Sequence, residues 1–381
     1  MNTTLMNSIL KKPPTDICIM RLSAIGDVCH TIPVVQTIQN HWPEANLTWI
    51  IGKTEASLIE GLSDIEFIIF DKSKGMTAYW ELRNQLMGRK FDLLLHIQES
   101  LRSSLATCLI SAKIKLGFHR DNAQDFQWWF TTHQIDPKPR THFVDMLFGF
   151  PEALGIKERN YQWNIPVSAQ DKEHINNLLP SEKKIIVISP CSSIRKRNWR
   201  NWSAEGYAAV ANYAAEKYNA SIVLTGGGSP LEREYADNIL KLTDHQPINL
   251  VGKLTLKQLL ATLQKAVAVI TPDSGPAHMA TAVGTPVIGL FATSNTLFTG
   301  PYFSQQWVVD KYPEALEKYN GEQFDKTPWG KRVRHPDAMA LITIDDVTAK
   351  IDQLMKHLKS KQQANDTQEE VDNTLRPLHE K

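Results

Sequence analysis

Residues 271–291 read TPDSGPAHMATAVGTPVIGLF, and this stretch decides the fold. The apolar run at residues 267–270 precedes it and predicts a buried strand. Turn-forming residues then end that strand, and Pro276 suits the first position of a helix because its missing N–H would be unpaired there. A short helix over residues 277–283 and a second strand over residues 287–291 follow. The predicted order is strand, loop, helix, strand.

The loop before this helix predicts an anion-binding site. A helix N-terminus presents unpaired amides and a partial positive charge, and a parallel sheet places it at the carboxyl edge of the strands. Ser274 and Gly275 belong to this turn, with Asp273 and His278 on either side. Ser274 and Asp273 could instead only cap the helix. The concentration of Gly, Ser and His in so short a turn favours a site for a phosphate or diphosphate.

The length and composition are those of a globular protein with two domains. The chain has 381 residues, a net charge of +1 and 42% hydrophobic residues. The near-neutral charge argues against nucleic acid as the main partner. Its four cysteines form no C-x-x-C pair and predict neither a disulfide framework nor a metal site. The first residues lack the apolar core of a signal peptide and no apolar run reaches membrane-spanning length, so we expect a cytoplasmic protein.

Strands and helices alternate along the chain in two series, which predicts an α/β fold with two doubly wound, Rossmann-like parallel sheets. The first series runs from a strand at residues 17–22 to one at 114–118, and the second from residues 185–189 to 287–291. Two such units close a cleft between the carboxyl edges of their sheets. The predicted segments are a loose arm at 1–15, a first domain at 16–165, a linker at 166–183, a second domain at 184–340, a last helix at 341–358 and a disordered tail at 359–381.

The first cluster of chemically capable residues follows the first strand and reads RLSAIGDVCH over residues 21–30. Gly26 allows a tight turn, and Asp27 stands just before the predicted helix. A carboxylate in this position can take the proton from a hydroxyl group that attacks an electrophilic carbon. It can equally be the N-cap of the helix, and the residues alone do not decide between these interpretations.

The second cluster follows the first strand of the second series and reads SPCSSIRKRNW over residues 189–199. Hydroxyls at Ser192 and Ser193 and cations at Lys196 and Arg197 could bind a leaving diphosphate and compensate its developing charge. A run of charges is often only a solvated loop. Its place after the strand that opens a domain favours the binding role.

Residues 226–232, GGGSPLE, are a weaker signal. Glycines after a strand let a nucleotide approach the backbone, and Glu232 could accept hydrogen bonds from a ribose. No G-x-G-x-x-G motif stands in a first strand–helix turn, which argues against a nicotinamide oxidoreductase. The sequence has no D-x-D motif and no zinc-type spacing of His and Cys, so we expect no metal cofactor.

Three stretches resemble a known family, and one of them is the loop at residues 189–199, with its basic residue before N-W. The residues from Asp273 onward, DSGPAHMATAVGTPVIGLF, resemble the donor-site signature D-[ST]-G-x-x-H of the bacterial heptosyltransferases, and RLSAIGDVCHTIP at residues 21–33 resembles their opening motif. That family uses ADP-heptose to build the inner core of lipopolysaccharide. The resemblance therefore implies an inverting, metal-independent glycosyltransferase of the GT-B architecture, most like the enzyme that adds the first heptose to Kdo. It also implies a last helix that crosses back to the first domain.

The resemblance assigns roles to single residues. It implies that Asp27 is the catalytic base and that Arg197, where the family often has Lys, holds the departing diphosphate. It places Leu254 against the adenine of the donor. The implied donor-binding residues are Ser192, Ser193, Lys196, Glu232, Leu254, Asp273, Ser274, Gly275 and His278.

The acceptor that the resemblance implies is anionic Kdo-lipid A, met at the cytoplasmic face of the inner membrane. Arg102, His119 and Arg120 follow strand ends of the first domain and are candidate contacts, although they could equally be ordinary surface residues. The aromatic cluster DFQWWF at residues 125–130 either enters the lipid headgroup region or packs within its own loop. Two alternatives stay open: a relative that uses another nucleotide sugar, and a catalytically silent sugar-nucleotide-binding module.

Overall fold

The computed structural model describes residue 10, residues 12–192 and residues 198–374. Most strands of the first domain are joined by helices, and 3₁₀ turns at Lys72–Lys74 and Gln127–Phe130 complete the loops. In chain order its elements are β1 (Asp16–Met20), α1 (Ile25–His41), β2 (Asn46–Gly52), α2 (Lys53–Ile59), β3 (Ile65–Phe70), α3 (Met76–Leu86), β4 (Phe91–His96), α4 (Leu101–Thr107), β5 (Ala112–Gly117), β6 (His133–Gln134) and α5 (Phe143–Ala153).

The second domain repeats the alternation after a connecting helix, α6 (Ala169–Leu178). Its elements are β7 (Ile185–Ile188), α7 (Ala204–Tyr218), β8 (Ser221–Leu224), α8 (Pro230–Leu242), β9 (Ile248–Asn249), α9 (Leu256–Lys265), β10 (Ala268–Pro272), α10 (Gly275–Ala282), β11 (Val287–Phe291), α11 (Thr296–Thr299), β12 (Val309–Asp310), α12 (Tyr312–Asn320) and α13 (Ile344–Thr374).

The two sheets, as far as the chain is described, are parallel and have the same topology. Their strand orders are β3-β2-β1-β4-β5-β6 and β9-β8-β7-β10-β11-β12, so each domain has its strands in the order 3-2-1-4-5-6. In this topology the order reverses between the first and fourth strands, and ligands bind in the crevice at that switch point. The predicted α/β fold with two doubly wound sheets is confirmed.

The sequence forms these sheets because helices cover both faces, so the central strands can be apolar along their whole length. In the first domain, α1 and α5 pack on one face of the sheet. Helices α3 and α4 pack on the other face through Ala78, Leu82 and Ala106. This second layer leaves the outer sides of α3 and α4 facing solvent.

The two domains are joined by a seam between α1 and α10. A continuous apolar core runs through it, with Val28 and Ile32 on one side and Ala277 and Met279 on the other. Gly26 of α1 packs so closely on α10 that an added Cβ atom would overlap the His278 ring. The seam therefore brings the N-termini of two helices together, one from each domain.

The last helix corrects an expectation, because α13 packs on the second domain rather than crossing to the first. Val347, Ile351 and Leu354 recur at helical spacing on its buried side and join the core of the second domain. Asp352 accepts hydrogen bonds from the hydroxyls of Tyr213 and Tyr218, which both lie on α7. The helix also continues to Thr374, so residues 359–374 of the predicted tail are helical, and residues 375–381 lie outside the described residues.

Other segments also differ from the expectations. The predicted linker contains α6, and the sequence analysis missed α5 and α12. Residues 302–335 add further contacts with the first domain: the Tyr302 hydroxyl donates to Asp145, and Trp329 Nε1 donates to the Thr141 carbonyl. Among the helices that the structure describes, none combines the length and hydrophobicity that crossing a membrane requires.

Candidate active site

The switch point of the first domain lies where β1 and β4 diverge. Gln98 follows β4, and its Oε1 accepts hydrogen bonds from the backbone N–H groups of Leu22 at 3.0 Å and Ser23 at 3.1 Å. This side chain joins the loops that follow the two strands. The RLSAIGD motif and the residues after β4 thus share one rim of the cleft, as the topology requires.

Asp27 lies in the first turn of α1 and keeps part of its carboxylate accessible. Arg21 Nη2 is 2.5 Å from Asp27 Oδ2, and the Ala24 N–H donates to the same oxygen at 3.0 Å. Arg21 is itself buried and donates to the Ile97 carbonyl at 2.7 Å, so its position is held. The Asp27 side chain is 41% exposed. It therefore helps to cap the helix through Oδ2 and leaves Oδ1 available to a substrate.

Glu99 is a second carboxyl group on this rim, and the sequence analysis missed it. It follows β4, is partly buried and accepts a hydrogen bond from the Gln124 N–H at 3.1 Å. Burial raises the pKa of Glu99 to about 7; Asp27 acts in the same direction, and Arg21 opposes it. Its place at the end of the strand beside β1 is the signal that could have identified it.

The switch point of the second domain is built from β7 and β10. Thr271 Oγ1 donates to the Ser189 carbonyl at 2.9 Å and lies 2.8 Å from Ser274 Oγ. Ser274 occupies the N-cap position of α10, but its side chain makes no capping hydrogen bond. The capping alternative is thus wrong for the Ser274 side chain. The N-terminus of α10 keeps the unpaired character that favours an anion.

Asp273 holds arginine side chains beside that helix terminus. Its side chain is 8% exposed; Arg200 Nη1 lies 3.4 Å from Oδ2 and donates to the Asp273 carbonyl at 3.0 Å. Arg332 Nη2 lies 3.8 Å from the same carboxylate oxygen. A carboxylate repels phosphate, so these contacts indicate that Asp273 would act through its arginines. Neither arginine was predicted, although Arg200 continues the basic run of its loop.

The loop after β7 is described only at its two ends. Ser192 Oγ donates to Asn198 Oδ1 at 2.9 Å, and the Ser192 N–H donates to Asn201 Oδ1 at 2.9 Å. The Ser192 hydroxyl thus holds the loop together. The other predicted residues of this loop lie outside the described residues, so their roles stay predictions: Ser193, Lys196 and Arg197.

Glu232 shapes the glycine-rich loop of the second domain. It accepts hydrogen bonds from the Gly227 N–H at 2.7 Å and from the Ser229 N–H and hydroxyl at 3.0 and 2.6 Å. These bonds form a capping box at the start of α8. A ribose would have to share a carboxylate that is already engaged, and that contact stays a prediction. Leu254, the predicted adenine contact, is partly buried after β9.

Three buried histidines line the seam between the domains. His30 Nε2 and His278 Nδ1 are 2.9 Å apart, and His142 Nε2 donates to the Gly300 carbonyl at 2.9 Å. Burial lowers the pKa of His30 well below its usual value, lowers that of His278 and brings that of His142 to about 4. All three rings are therefore neutral at pH 7. The His278 ring is hydrogen-bonded to His30, so its contact with the donor remains a prediction.

The predicted acceptor residues follow β4 and β5 on the rim that carries Glu99. Arg102 is exposed on α4, and exposed Arg120 lies over the Trp128 ring at 5.4 Å. His119 is partly buried and accepts from the Asp121 N–H at 3.2 Å. Their placement agrees with an acceptor role without testing it.

In the described part of the chain, no group of three or more His, Cys, Asp or Glu side chains could hold a metal ion. The cysteines are free thiols; Cys108 is exposed, and Cys18, Cys29 and Cys191 are buried.

Two Rossmann-like domains, each a parallel six-stranded sheet with its switch point facing the other domain, are the architecture of the GT-B glycosyltransferases. The family model described as glycosyltransferase family 9 (heptosyltransferase) matches residues 79–327. The chain is 36% identical over 346 residues to the lipopolysaccharide core heptosyltransferase OpsX of Haemophilus influenzae, covering 91% of this chain and 99% of the relative. This chain belongs to glycosyltransferase family 9 and is a glycosyltransferase.

Solved structures agree with this assignment at the level of the fold. A family 9 glycosyltransferase from Veillonella parvula superimposes with a TM-score of 0.74 at 22% identity, covering 90% of this chain and 98% of that one. The Escherichia coli heptosyltransferase WaaC with ADP gives a TM-score of 0.68 at 18% identity, covering 89% and 99%. The family and the GT-B fold predicted from the sequence are both confirmed.

Proposed function

We propose that this enzyme transfers heptose from ADP-L-glycero-D-manno-heptose to the Kdo region of the lipopolysaccharide inner core, with inversion at the anomeric carbon. The observation that carries the proposal is the seam, where α1 packs on α10. It sets the partly free carboxylate of Asp27 opposite the helix terminus suited to a diphosphate. Two relatives support the substrates: one is named a lipopolysaccharide core heptosyltransferase, and WaaC has been solved with ADP-2-deoxy-2-fluoro heptose.

The proposed reaction is a single displacement. A bond forms between an acceptor hydroxyl oxygen and the anomeric carbon while the bond from that carbon to the ADP oxygen breaks. The hydroxyl proton passes to Asp27 Oδ1, and ADP leaves with the bonding electron pair. Arg21 positions the carboxylate through Oδ2. Attack opposite the leaving group inverts the configuration.

The departing diphosphate would be stabilised by fixed positive groups. The N-terminus of α10 contributes its amides at Ser274 and Gly275, and Arg200 lies beside Asp273. Arg197 is the predicted further cation of this site. Because these groups can carry the charge, we propose that no metal cofactor is needed.

A transfer assay on the full-length protein tests the function. We expect heptose transfer from ADP-heptose to Kdo-lipid A, an inverted linkage by NMR of the product, and unchanged activity in EDTA. Higher kcat/KM with a different nucleotide sugar would overturn the donor assignment. Inactivation by EDTA that magnesium or manganese reverses would overturn metal independence.

Gly275→Val tests the donor site by itself. A Cβ atom at Gly275 would meet its nearest neighbour, Ile25 Cγ2, at an ordinary 3.6 Å, so the fold should tolerate the first added carbon. The branched side chain would obstruct phosphate at the start of α10, and we expect ADP binding to weaken by roughly tenfold or more. Calorimetry with ADP is paired with thermal unfolding, and Gly275→Ala is the smaller control. A stable Gly275→Val protein with parental ADP affinity contradicts the donor site.

We also propose that the protein works in the cytoplasm in peripheral contact with the anionic face of the inner membrane. Of thirteen exposed large apolar side chains in the described residues, six lie on α3, α4 and the aromatic turn after β5. Arg83, Arg102 and Arg120 are exposed among them, and cations beside aromatic residues suit anionic headgroups. The six, between 47% and 78% exposed, are Met76, Trp80, Leu101, Leu105, Phe126 and Trp129.

This surface is held in shape by hydrogen bonds. The Tyr79 hydroxyl donates to the Arg102 carbonyl at 3.1 Å and joins α3 to α4, and the Leu101 N–H donates to Asp125 at 3.2 Å. Buried Gln127 donates to the His96 carbonyl at 2.9 Å and anchors the aromatic turn. Phe126 and Trp129 stack on each other while remaining exposed.

Vesicle sedimentation tests the membrane contact. We expect binding to phosphatidylglycerol-containing vesicles to weaken by roughly tenfold or more in Phe126→Ser/Trp129→Ser. Leu105→Ser and Leu242→Ser form a matched pair, since Leu105 and Leu242 are 47% and 48% exposed and only Leu105 lies on the surface. Parental vesicle binding by the double variant contradicts the contact. A parental dimer that the variant loses would assign the surface to self-association instead.

A further inference from the structure

We propose that a cavity between the two domains, lined by Arg332 and Arg334, binds an anionic group of the acceptor, either a carboxylate or a phosphate. The inference rests on the proposed function, because it assigns the cavity to the acceptor of that reaction. It also gives a role to residues 302–335, a region rich in Trp, Lys and Pro that the sequence motifs leave unexplained.

The cavity has a volume of about 830 Å³, within the range of small-ligand sites. Gln124 closes it from the first domain. From the second domain it is lined by the loop after β11, including Ser294 and Phe298, and by residues 330–334. The cavity therefore lies where the two domains meet.

The backbone directs the two arginines to the same side. Arg332 pairs with Ser294 in an antiparallel bridge, and the Val333 N–H donates to the Thr293 carbonyl at 3.0 Å. Val333 is buried in the core of the second domain. Alternate residues of an extended chain point to opposite faces, so Arg332 and Arg334 both lie on the open side.

The cavity carries excess positive charge. Arg332 is 3.8 Å from an Asp273 oxygen that also pairs with Arg200, so one carboxylate serves two guanidinium groups. Among the described residues that line the cavity there is no Asp or Glu. The Ser294 hydroxyl is buried and has no hydrogen-bond partner within the described part of the chain. Guanidinium forks and a hydroxyl donor suit carboxylate or phosphate oxygens.

The position of the cavity favours the acceptor over the donor. Ser274 and Gly275, which would bind the donor diphosphate, are not among its lining residues. Gln124 is one of the lining residues, and its backbone N–H donates to Glu99 on the rim that carries Asp27. An acceptor held by the cavity would thus lie beside the proposed base.

Steady-state kinetics of Arg334→Gln and Arg332→Gln/Arg334→Gln test the assignment with Kdo-lipid A as the acceptor. Loss of a charge-assisted contact should raise the acceptor KM roughly tenfold or more. The kcat and the ADP affinity of Arg334→Gln should stay within about twofold of the parent, as expected for lost ground-state and transition-state binding alike. Lys356→Gln, an exposed cation of α13 outside the cavity, is the control.

The outcomes separate the possible ligands. A KM penalty that persists after the lipid A phosphates are removed assigns a carboxylate, and one that disappears assigns a phosphate. An unchanged acceptor KM in Arg334→Gln overturns the proposal, and so does an ADP affinity of Arg334→Gln that falls in parallel, since the cavity would then bind the donor. If the parent transfers no sugar, the proposed function fails. Calorimetry of Kdo-lipid A binding by the parent and Arg334→Gln then still tests the cavity.

Discussion

The two switch points share one strand order but use their aspartates in opposite ways. Asp27 at the first is 41% exposed and pairs with Arg21 through one oxygen. Asp273 at the second is 8% exposed and lies near both Arg200 and Arg332. Each follows a buried strand and stands at the start of a helix. The same local pattern thus produces an accessible carboxylate in one domain and, in the other, a buried carboxylate that pairs with arginine side chains.

The difference comes from residues that are distant in the sequence. A catalytic base needs a free oxygen that a substrate can reach. A buried carboxylate needs cationic partners that neutralise its charge. Arg332 reaches Asp273 from the segment after α12, far from the loop that carries Asp273. The role of a carboxylate is therefore set by the elements packed around it and not by its motif alone.

The largest expected effect is on catalysis by Asp27→Asn. Losing the proposed general base should lower kcat by about 10²–10⁴-fold, while the ADP affinity stays near that of the parent because the proposed donor site belongs to the other domain. Single-turnover transfer and ADP calorimetry measure the two quantities. A variant that keeps most of its turnover would remove Asp27 from the mechanism.

The counterpart, Asp273→Asn, should act mainly on stability. The amide cannot neutralise Arg200 and Arg332, so we expect the free energy of unfolding to fall by about 1–3 kcal/mol, discounted because Arg332 is partly exposed. Urea unfolding of both aspartate variants makes the comparison. The contrast between the two aspartates is contradicted if the free energy of unfolding falls as much in Asp27→Asn as in Asp273→Asn.

The smallest effect is expected from Glu99→Gln, as a change in pH dependence. Burial raises the pKa of Glu99 to about 7 in the fold, above the value of 4.5 for an exposed glutamate, so the folded protein holds a proton that the unfolded chain releases between these values. This group therefore lowers stability as pH rises from 4.5 through 7. Glutamine removes that loss.

The measurement is urea unfolding of the parent and Glu99→Gln at pH 5 and pH 8. The stability of the variant relative to the parent should be higher at pH 8 than at pH 5. An equal difference at the two values would show that Glu99 does not bind a proton preferentially in the folded state.

Local patterns were sufficient to predict the sheets. Apolar runs bounded by turn residues predicted nearly all the central strands, and β11 has the predicted bounds, residues 287–291. Helix α5 was missed because its sequence, FVDMLFGFPEA, is apolar on nearly every side and contains Pro151, so it shows no clear helical period. The predicted packing of α13 on the first domain was also wrong. An amphipathic pattern shows which side of a helix is buried but not which element it packs against.

The candidate site was predictable where its residues stand in motifs after strands. Asp27, Ser274 and Gly275 lie at the two switch points, as expected. Arg332 and Arg334 were missed because they reach the site from a segment far along the chain from the motifs, and Glu99 was missed although its place directly after β4 could have identified it. Contacts such as the bond from Gln124 to Glu99 leave no periodic signal in the sequence.

Gly26 gives the seam a further property. Its α-carbon, which carries no side chain, faces the His278 ring. That ring is hydrogen-bonded to His30 at 2.9 Å, and the hydrogen bond holds it in place. Any larger residue at this position must push the two helices apart. A glycine at this position thus sets how closely the N-terminus of α1, which carries Asp27, approaches the N-terminus of α10 in the other domain.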